Sequence, residues 1–554
     1  MADFFRPGRK SRGSRLAEWN RRLGDPNSEL FRKLTAIYGN AGLLDRPVRL
    51  LGKVLNEFGR SFGTDRPVFI VRSTGRVNML GMHVDHRGGS VNPIAIKEAF
   101  FAVEPRDDDR VVLRDVAGDR FPEESFSIGE CLPRGGKVKD WDHWCHDELE
   151  KRKGKPGITF SNYVRAAVLY FQNLNTADDG GQSPSFRGMN VMIGSNVPPA
   201  AGLSTSSCLV VASALAILHR NGITMDPMAF CEHCGWAEWY VGTRGGFGDH
   251  AAIRLGRCNS IVHMTSFPFT LQTVPFPPGY LVVLADSKVE ARKQAGAKDG
   301  YNTPLAAYAF GLWLARKNYP QYAEKLQHLR DINPKALACS EAEVYRIIRS
   351  LPESVTRARI LAMLPEKKED IEKVFRSHNE PAGGYPVRGV CTYGIAECMR
   401  SNLVVDMLEK GDIAGFGRLI SLHHDGDRVA RLHNGKMAPE VKDFSDSRFD
   451  RLIADLESGD PSRAECAHIW AQPGGYNVSV PDLDMAVDIA MGAKGVLGAG
   501  LVGAGLGGSM VALVEAAHAD ALVQRLARDY YAAKNLPMGA EIVSPVGGAG
   551  ILDI

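Results

Sequence analysis

The chain has 554 residues, 44% of them hydrophobic, enough to bury a large core and to divide into two or more domains. Its 67 basic and 64 acidic residues leave a formal charge of +3, too small for a general polyanion binder, so no nucleic-acid partner is expected. Ten cysteines without framework spacing argue against a secreted disulfide scaffold and for a cytoplasmic protein.

The first 16 residues hold Arg6, Arg9, Lys10, Arg12 and Arg15. Asp3 and the lack of a following apolar segment favour a solvated, disordered tail over a targeting peptide or a nucleic-acid arm. Residues 17–63 place Leu30, Leu34 and Ile37, then Leu50, Leu51, Val54, Leu55 and Phe58, at helical spacing. Strands are expected at 68–72, 99–104 and 110–113. Residues 121–156, charged and rich in Gly, Pro and Trp, read as a surface insertion. A strand at 189–193 leads through a loop into a small-residue helix at 206–219. A second helix at 227–240 and a glycine-rich turn follow, ending at Asp249.

The apolar strand at 281–286 is expected to close the first domain. Residues 317–379 are charged and free of glycine, which predicts short helices divided by prolines. After a helix at 394–409 come a strand at 477–480, a helix to Met491, a glycine loop, the strand MVALV and a helix to Ala533. The run 496–514 is uncharged and long enough to span a bilayer, but its six glycines favour loop and strand, so no membrane partner is expected. The pattern predicts an α+β protein with a first domain over 17–290 and a second over 291–554, the latter carrying a helical insertion over about 317–385.

Four segments concentrate chemistry. Residues 73–96 pack two arginines, two histidines, an aspartate and four glycines into a largely apolar stretch, as suits a strand ending in a polar, ligand-facing turn. In the segment from Val197, two prolines and Gly202 shape a turn, and hydroxyl residues 204–207 open a helix. Free N–H groups and the helix dipole there favour a phosphate, unless Ser204 and Thr205 merely cap the helix. No Walker sequence occurs. Glu238 and Asp249 flank a glycine turn and suit a metal ligand and a general base, or else a surface glutamate and a helix cap. Glycines between 498 and 508 allow close backbone approach to a ligand or to another loop. The groups Cys231/His233/Cys234 and His143/Cys145/His146 lack a second ligand pair and read as structural.

These segments, in this order, resemble the motifs of galactokinases within the GHMP small-molecule kinases. STGRVNMLGMHVDH is similar to the sugar-binding signature. Pro198, Gly202, Leu203, Ser204 and Ser206 match the P-x-G-x-G-L-S-S-S phosphate motif, with Ala200 and Thr205 replacing a glycine and a serine. Ala237, Glu238, Gly242, Gly246 and Asp249 match the third segment, although one residue is missing before Gly242 and His250 replaces a glutamine. Gly498, Ala499, Gly503, Gly505, Gly507 and Gly508 match the terminal glycine motif, and SVPDLD at 479–484 matches S-x-P-E-L-D. Weaker echoes are Asn162–Tyr163, Tyr301–Asn302 and residues 411–425.

The resemblance implies a two-domain fold: a ribosomal-protein-S5-like N-terminal domain and a ferredoxin-like C-terminal domain, with helical insertions. It implies transfer of the ATP γ-phosphoryl to a monosaccharide hydroxyl, the anomeric hydroxyl of galactose or a related sugar, by a monomer or weak homo-oligomer. Asp249 and Arg76 would be catalytic. His83, Asp85, Met82 and Tyr301 would face the sugar. Pro198, Ala200, Ala201, Gly202, Leu203, Ser204, Thr205, Ser206 and Ser207, with Gly503 and Gly505, would hold ATP. Ser206 and Glu238 would hold Mg²⁺. Met82 stands where the family has a glutamate and His86 where it has a tyrosine. A thioether is a weak acceptor, so the acceptor sugar is expected to lack a polar group there, unless another residue supplies the contact. The alternatives are a GHMP kinase for a non-sugar alcohol and a non-catalytic sugar sensor.

Overall fold

In α1 (Leu16–Leu23), α2 (Glu29–Tyr38) and α3 (Asp45–Phe62) the apolar positions recur every three or four residues. In α3 this places Leu51, Val54, Leu55 and Phe58 on one fully buried stripe, each stabilising by about 2 kcal/mol. The structure, a computed structural model, describes residues 6–7, 13–133, 136–152, 159–177, 185–243, 245–290 and 295–552. Two pieces of the basic segment expected to be a disordered tail form strand pairs instead. Arg6–Pro7 pairs with Ile223–Thr224, and Ser14–Arg15 pairs with Val68 and Pro67. The buried Leu16 and Trp19 behind it, with the Trp19 indole donating to the Val68 carbonyl at 2.9 Å, anchor the second piece. Arg9, Lys10 and Arg12 lie outside the described residues.

The stripe of α3 packs on a seven-stranded sheet built from β1 (Pro67–Asn78), β2 (Pro93–Pro105), β3 (Arg110–Asp115), β4 (Glu124–Ser127), β5 (Met189–Ser195) and a late strand, Gly550–Leu552. The order runs from Gly550–Leu552 through β1, β2, β5 and β3 to β4, with Ser14–Arg15 beside β1. Only the β3–β5 pair is parallel. The region expected to be a surface insertion supplies the edge strand β4 and, on α4 (Trp141–Glu150), the core residues Trp141 and Cys145. Two apolar positions four apart on a charged helix were enough to dock it.

The sheet's other face carries α5 (Phe160–Asn175), α6 (Thr205–Arg220), α7 (Pro227–Ala237) and α8 (Gly248–Leu255). The strand expected to close the first domain, β6 (Tyr280–Asp286), belongs elsewhere. It is an inner strand of a four-stranded antiparallel sheet, paired with Ser509–Glu515 and with Ala540–Val543. A continuous apolar run fits either sheet, and sequence proximity pointed to the wrong one.

Between the sheets the chain builds a helical body with its own apolar core, framed by α9 (Ala295–Asn318) and α10 (Val387–Lys410) and reaching Val84 and Tyr476. Helix α11 (Ile413–Asp427) and helix α12 (Pro481–Met491) then lead to β7 (Val496–Val502), β8 (Ser509–Glu515) and β9 (Ala540–Val543). Residues 477–480, expected as a strand, have none of its pairing, because the chain here bonds to the end of α11: the Tyr476 and Ser479 amides donate to the Gly426 and Asp427 carbonyls. The first half of the expected glycine loop is strand β7. A Cβ at Gly498 would sit 1.9 Å from the Gly417 carbonyl oxygen, so that glycine lets α11 lie on the strand and does not meet a ligand. Among the described residues no helix is long and apolar enough to cross a membrane.

Candidate active site

Strand β1 slips register between Ser73 and Gly75, and the slip has a purpose. A Cβ at Gly75 would lie 2.9 Å from the Leu203 carbonyl oxygen, so only glycine lets the loop before α6 rest on the strand. The next residue, Arg76, receives that loop through its amide, which donates to Leu203 at 3.1 Å. Its guanidinium then grips Asp249 with two parallel bonds, Nε to Oδ1 at 2.7 Å and Nη2 to Oδ2 at 2.8 Å, and donates Nη1 to the Gly202 carbonyl at 2.7 Å. Burial acts to raise the Asp249 carboxyl, but Arg76 and the Ser204 hydroxyl outweigh it and hold it below its ordinary range. The Asp249 side chain is 41% exposed, open to a cavity while Arg76 is mostly covered.

The four hydroxyls at the start of α6 do not cap it. Ser204, in the left-handed region at φ +56°, donates to Asp249. Thr205 donates to the Pro198 carbonyl at 2.8 Å, closing the loop on itself. Ser207 donates to Glu238 at 3.0 Å, and the neighbouring Ser206 hydroxyl helps to lower that carboxylate. The first turn of α6 lines the cavity, and its amides, which have no partner within the helix, bring the positive end of the helix dipole there. The loop from Gly503 to Gly508 backs this one. A Cβ at Gly202, φ +79°, would lie 2.8 Å from the Val502 carbonyl oxygen, and one at Gly503, φ +85°, would lie 3.1 Å from the Gly202 Cα. Ser509 ties the two loops by donating to Ala201 at 2.8 Å.

Glu238 follows α7, buried but at the edge of the cavity, with His250 Nε2 2.9 Å from Oε2. Burial raises its carboxyl, but His250 and Ser206 prevail and lower it, so it is ionised. One buried carboxylate beside serine hydroxyls is a donor set that fits Mg²⁺, which takes few protein oxygens and completes its shell with phosphate and water. Among the described residues no group of three or more His, Cys, Asp or Glu is placed to hold a metal by itself.

On the other side of Asp249 lie the signature residues. Asp85 follows a tight turn and is pulled down to about 2: burial opposes this, but the His86 ring, 3.1 Å away, and His83 overcome it. Tyr301, on α9, faces the cavity, and burial and the nearby Asp85 and Asp249 raise its phenol. His83 is 5% exposed, has φ +65°, and stacks on Tyr476 at 4.3 Å. The Met82 sulfur accepts the Gly503 amide at 3.3 Å, and the side chain packs into the core of the four-stranded sheet.

One cavity of about 1980 Å³ runs along all of this. Every site residue expected from sequence lines it except Ala201, which is buried behind the loop. Lys53, Arg120, Phe121, Phe160 and Tyr163 also line it. Sequence reasoning missed the pieces that brace the site. Glu397 on α10 accepts the Gly81 amide at 2.7 Å and pairs with Arg400 at 2.9 Å. Arg330 donates to the Gly88 carbonyl at 2.9 Å. Asp427 and Tyr476 stand behind His83. The echo at 411–425 stopped two residues short of Asp427, and nothing local marks the others. His233 meets the Tyr170 hydroxyl at 2.8 Å, a core contact.

Three family models match the chain: the galactokinase galactose-binding signature over residues 56–103, the GHMP kinases N terminal domain over 162–257, and the GHMP kinases C terminal over 452–533. The galactokinase of Roseiflexus sp. (strain RS-1) is 27% identical over 483 residues, covering 87% of this chain and 92% of that one. The galactokinase of Schizosaccharomyces pombe is 26% identical over 498 residues, 86% and 89% of the two chains. The structure of Lactococcus lactis galactokinase complexed with galactose superposes with a TM-score of 0.60 at 18% identity, over 91% of this chain and all of that one, a likeness of fold.

Proposed function

We propose that the chain is a galactokinase-like member of the GHMP small-molecule kinases, an ATP-dependent sugar kinase whose acceptor is galactose or a close relative, phosphorylated on the anomeric hydroxyl. The observation that carries this reading is the Arg76–Asp249–Ser204 cluster, set between a loop of free amides and the carboxylate of Asp85 in one cavity.

Transfer of a phosphoryl group depends on alignment and charge stabilisation more than on covalent help from the protein. The amides at the start of α6 and the glycine loop behind them receive the phosphates of ATP. Magnesium, when bound by Glu238 and Ser206, neutralises charge on those phosphates. Asp85 accepts hydrogen bonds from sugar hydroxyls, with His83 and Tyr301 beside it. Asp249 orients the reacting hydroxyl, whose oxygen bonds to the γ-phosphorus as the bridge to ADP breaks. A carboxylate held so acidic takes the proton late, in keeping with a loose transition state. Arg76 keeps it ionised and offsets charge between donor and acceptor. The aromatic side chains of Phe121, Phe160 and Tyr163 in the cavity lining suit the adenine ring.

The test is ATP-dependent ADP release with galactose, 6-deoxygalactose, N-acetylgalactosamine and arabinose. Turnover with galactose or one of these relatives is expected. Binding of ATP and sugar without turnover would instead mark a sensor, and turnover only with a non-sugar alcohol would move the acceptor class.

A further inference from the structure

The start of α8 carries two side chains in opposite surroundings. Asp249 opens to the cavity with its side chain 41% exposed, whereas the next residue, His250, turns inward and is 2% exposed. A helix rotates by about 100° per residue, so consecutive positions face different walls. His250 faces the end of α7. A Cβ at Gly235 would lie 2.9 Å from the Phe247 Cβ, so only glycine lets α7 and the start of α8 approach this closely, and the Cys231 thiol reaches the His250 carbonyl at 3.8 Å. This packing leaves His250 Nε2 2.9 Å from Glu238 Oε2. For the core alone, the histidine is an unfavourable choice. Among the described residues its Nδ1 has no hydrogen-bond partner, and Nε2, although close to Glu238, lies off the line of a good hydrogen bond. An apolar residue of the same size would avoid that cost.

The contact makes sense through what it does to Glu238. Ser207 donates to Oε2 at 3.0 Å, and His250 stands at the same oxygen. Glu238, Ser206 and Ser207 line the cavity, while His250 is enclosed. The two contacts converge on Oε2, so Oε1 is the oxygen left for a ligand in the cavity. A carboxylate pinned in this way meets a cation through one oxygen and cannot swing to offer both. That distinction bears on the choice of metal. Mg²⁺ keeps a tight octahedral shell and takes single carboxylate oxygens, whereas Ca²⁺ accepts a wider shell that includes bidentate carboxylates.

Resting on the reading of Glu238 as the metal's carboxylate, we propose that His250 is a positioning residue for that site. With Ser207 it pins Glu238 Oε2, so that one oxygen alone is offered to the cation and the site selects Mg²⁺ over Ca²⁺. The histidine acts through Glu238 and does not touch the ion.

The experiment reads metal binding, not turnover. Mn²⁺ is titrated into the full chain with ADP, followed by electron paramagnetic resonance, and then displaced by Mg²⁺ or by Ca²⁺, for the wild type, His250→Leu and His250→Gln. The wild type is expected to bind Mg²⁺ about 30-fold more tightly than Ca²⁺, and His250→Leu to cut that ratio to about threefold, the tenfold change typical of losing a partner behind a metal ligand. His250→Gln, whose amide can reach Oε2, should stay within about threefold of wild type. Should His250→Leu fold poorly, Ser207→Ala frees the same oxygen and carries the same expectation of a lowered ratio. A ratio that His250→Leu and Ser207→Ala leave unchanged overturns the positioning role and leaves the metal site standing. A ratio lost equally in His250→Gln assigns the effect to packing and overturns the role of the ring nitrogen. Nitrogen modulation from a ring bound directly to Mn²⁺ overturns the indirect role. A Mn²⁺ spectrum no different from that of Mn²⁺ with ADP alone removes Glu238 from the metal site and overturns the proposal with it.

Discussion

Replacing Asp249 by Asn tests the site at its centre. The amide is isosteric, so Arg76 keeps one contact through the remaining oxygen and keeps its bond to Gly202. What disappears is the proton acceptor and one negative charge. Positioned acid–base groups typically contribute 100- to 10,000-fold, which corresponds to about 3–5 kcal/mol of barrier. The structural cost is much smaller. The carboxylate is 41% exposed, so solvent screens the ion pair and its loss should destabilise by about 1 kcal/mol or less. A melting temperature within about 2 °C of wild type is then expected. ADP release should fall by at least about 100-fold while ATP and sugar still bind in a calorimeter. A kcat within about threefold of wild type would refute the assignment of Asp249, and a collapse of folding would refute the claim that its role is chemical.

Gly202→Ala should destabilise by about 2 kcal/mol in denaturant, since its φ of +79° is unfavourable for alanine and the added carbon meets the Val502 carbonyl oxygen at 2.8 Å; KM for ATP should rise more than KM for sugar. Glu238→Gln is expected to raise the half-saturating Mg²⁺ concentration by about tenfold with little change in sugar KM, and an unchanged Mg²⁺ dependence would remove Glu238 from the metal site. Glu397→Gln should destabilise by about 3–5 kcal/mol at pH 7, because it leaves the fully buried Arg400 without its carboxylate. Burial acts to raise Glu397, but His423 and Arg400 pull it down to about 2, so its stabilisation is complete above the ordinary carboxylate pKa, near 4.5. It fades as pH falls from there toward 2. The gap between wild type and variant should therefore stay constant from pH 7 to 5 and narrow below that.

The halves of the site that depend on local backbone chemistry were legible in the sequence. Arg76, Asp85, Ser204, Glu238 and Asp249 sit in short runs whose glycines and hydroxyls announce turns and helix starts, and the structure gathers them on one cavity. What escaped notice depends on distant parts of the chain meeting. Glu397 reaches Gly81 across 316 positions, and Asp427 reaches His83 across a comparable span. The fold shows the same division. Helical periodicity found α3 and α6. The side on which LVVLAD pairs could not be read, because a strand apolar on both faces carries no directional pattern. Gly498 looked like a ligand loop because a glycine chosen for helix packing and one chosen for a phosphate are the same letter.

The pairing of β6 and of Gly550–Leu552 makes the two sheets mutually dependent for assembly. The chain leaves the larger sheet, lays one strand in the middle of the smaller, and returns at its end to pair with Ile70–Arg72 of the larger. A cut near residue 290 would deprive the larger sheet of one strand and the smaller of an inner one. Neither fragment could close its own hydrogen-bond ladder. During synthesis the larger sheet must wait for this strand until residue 552 has emerged. The two walls of the cleft are thus finished together, and a half-built protein cannot present one wall as a working binding face.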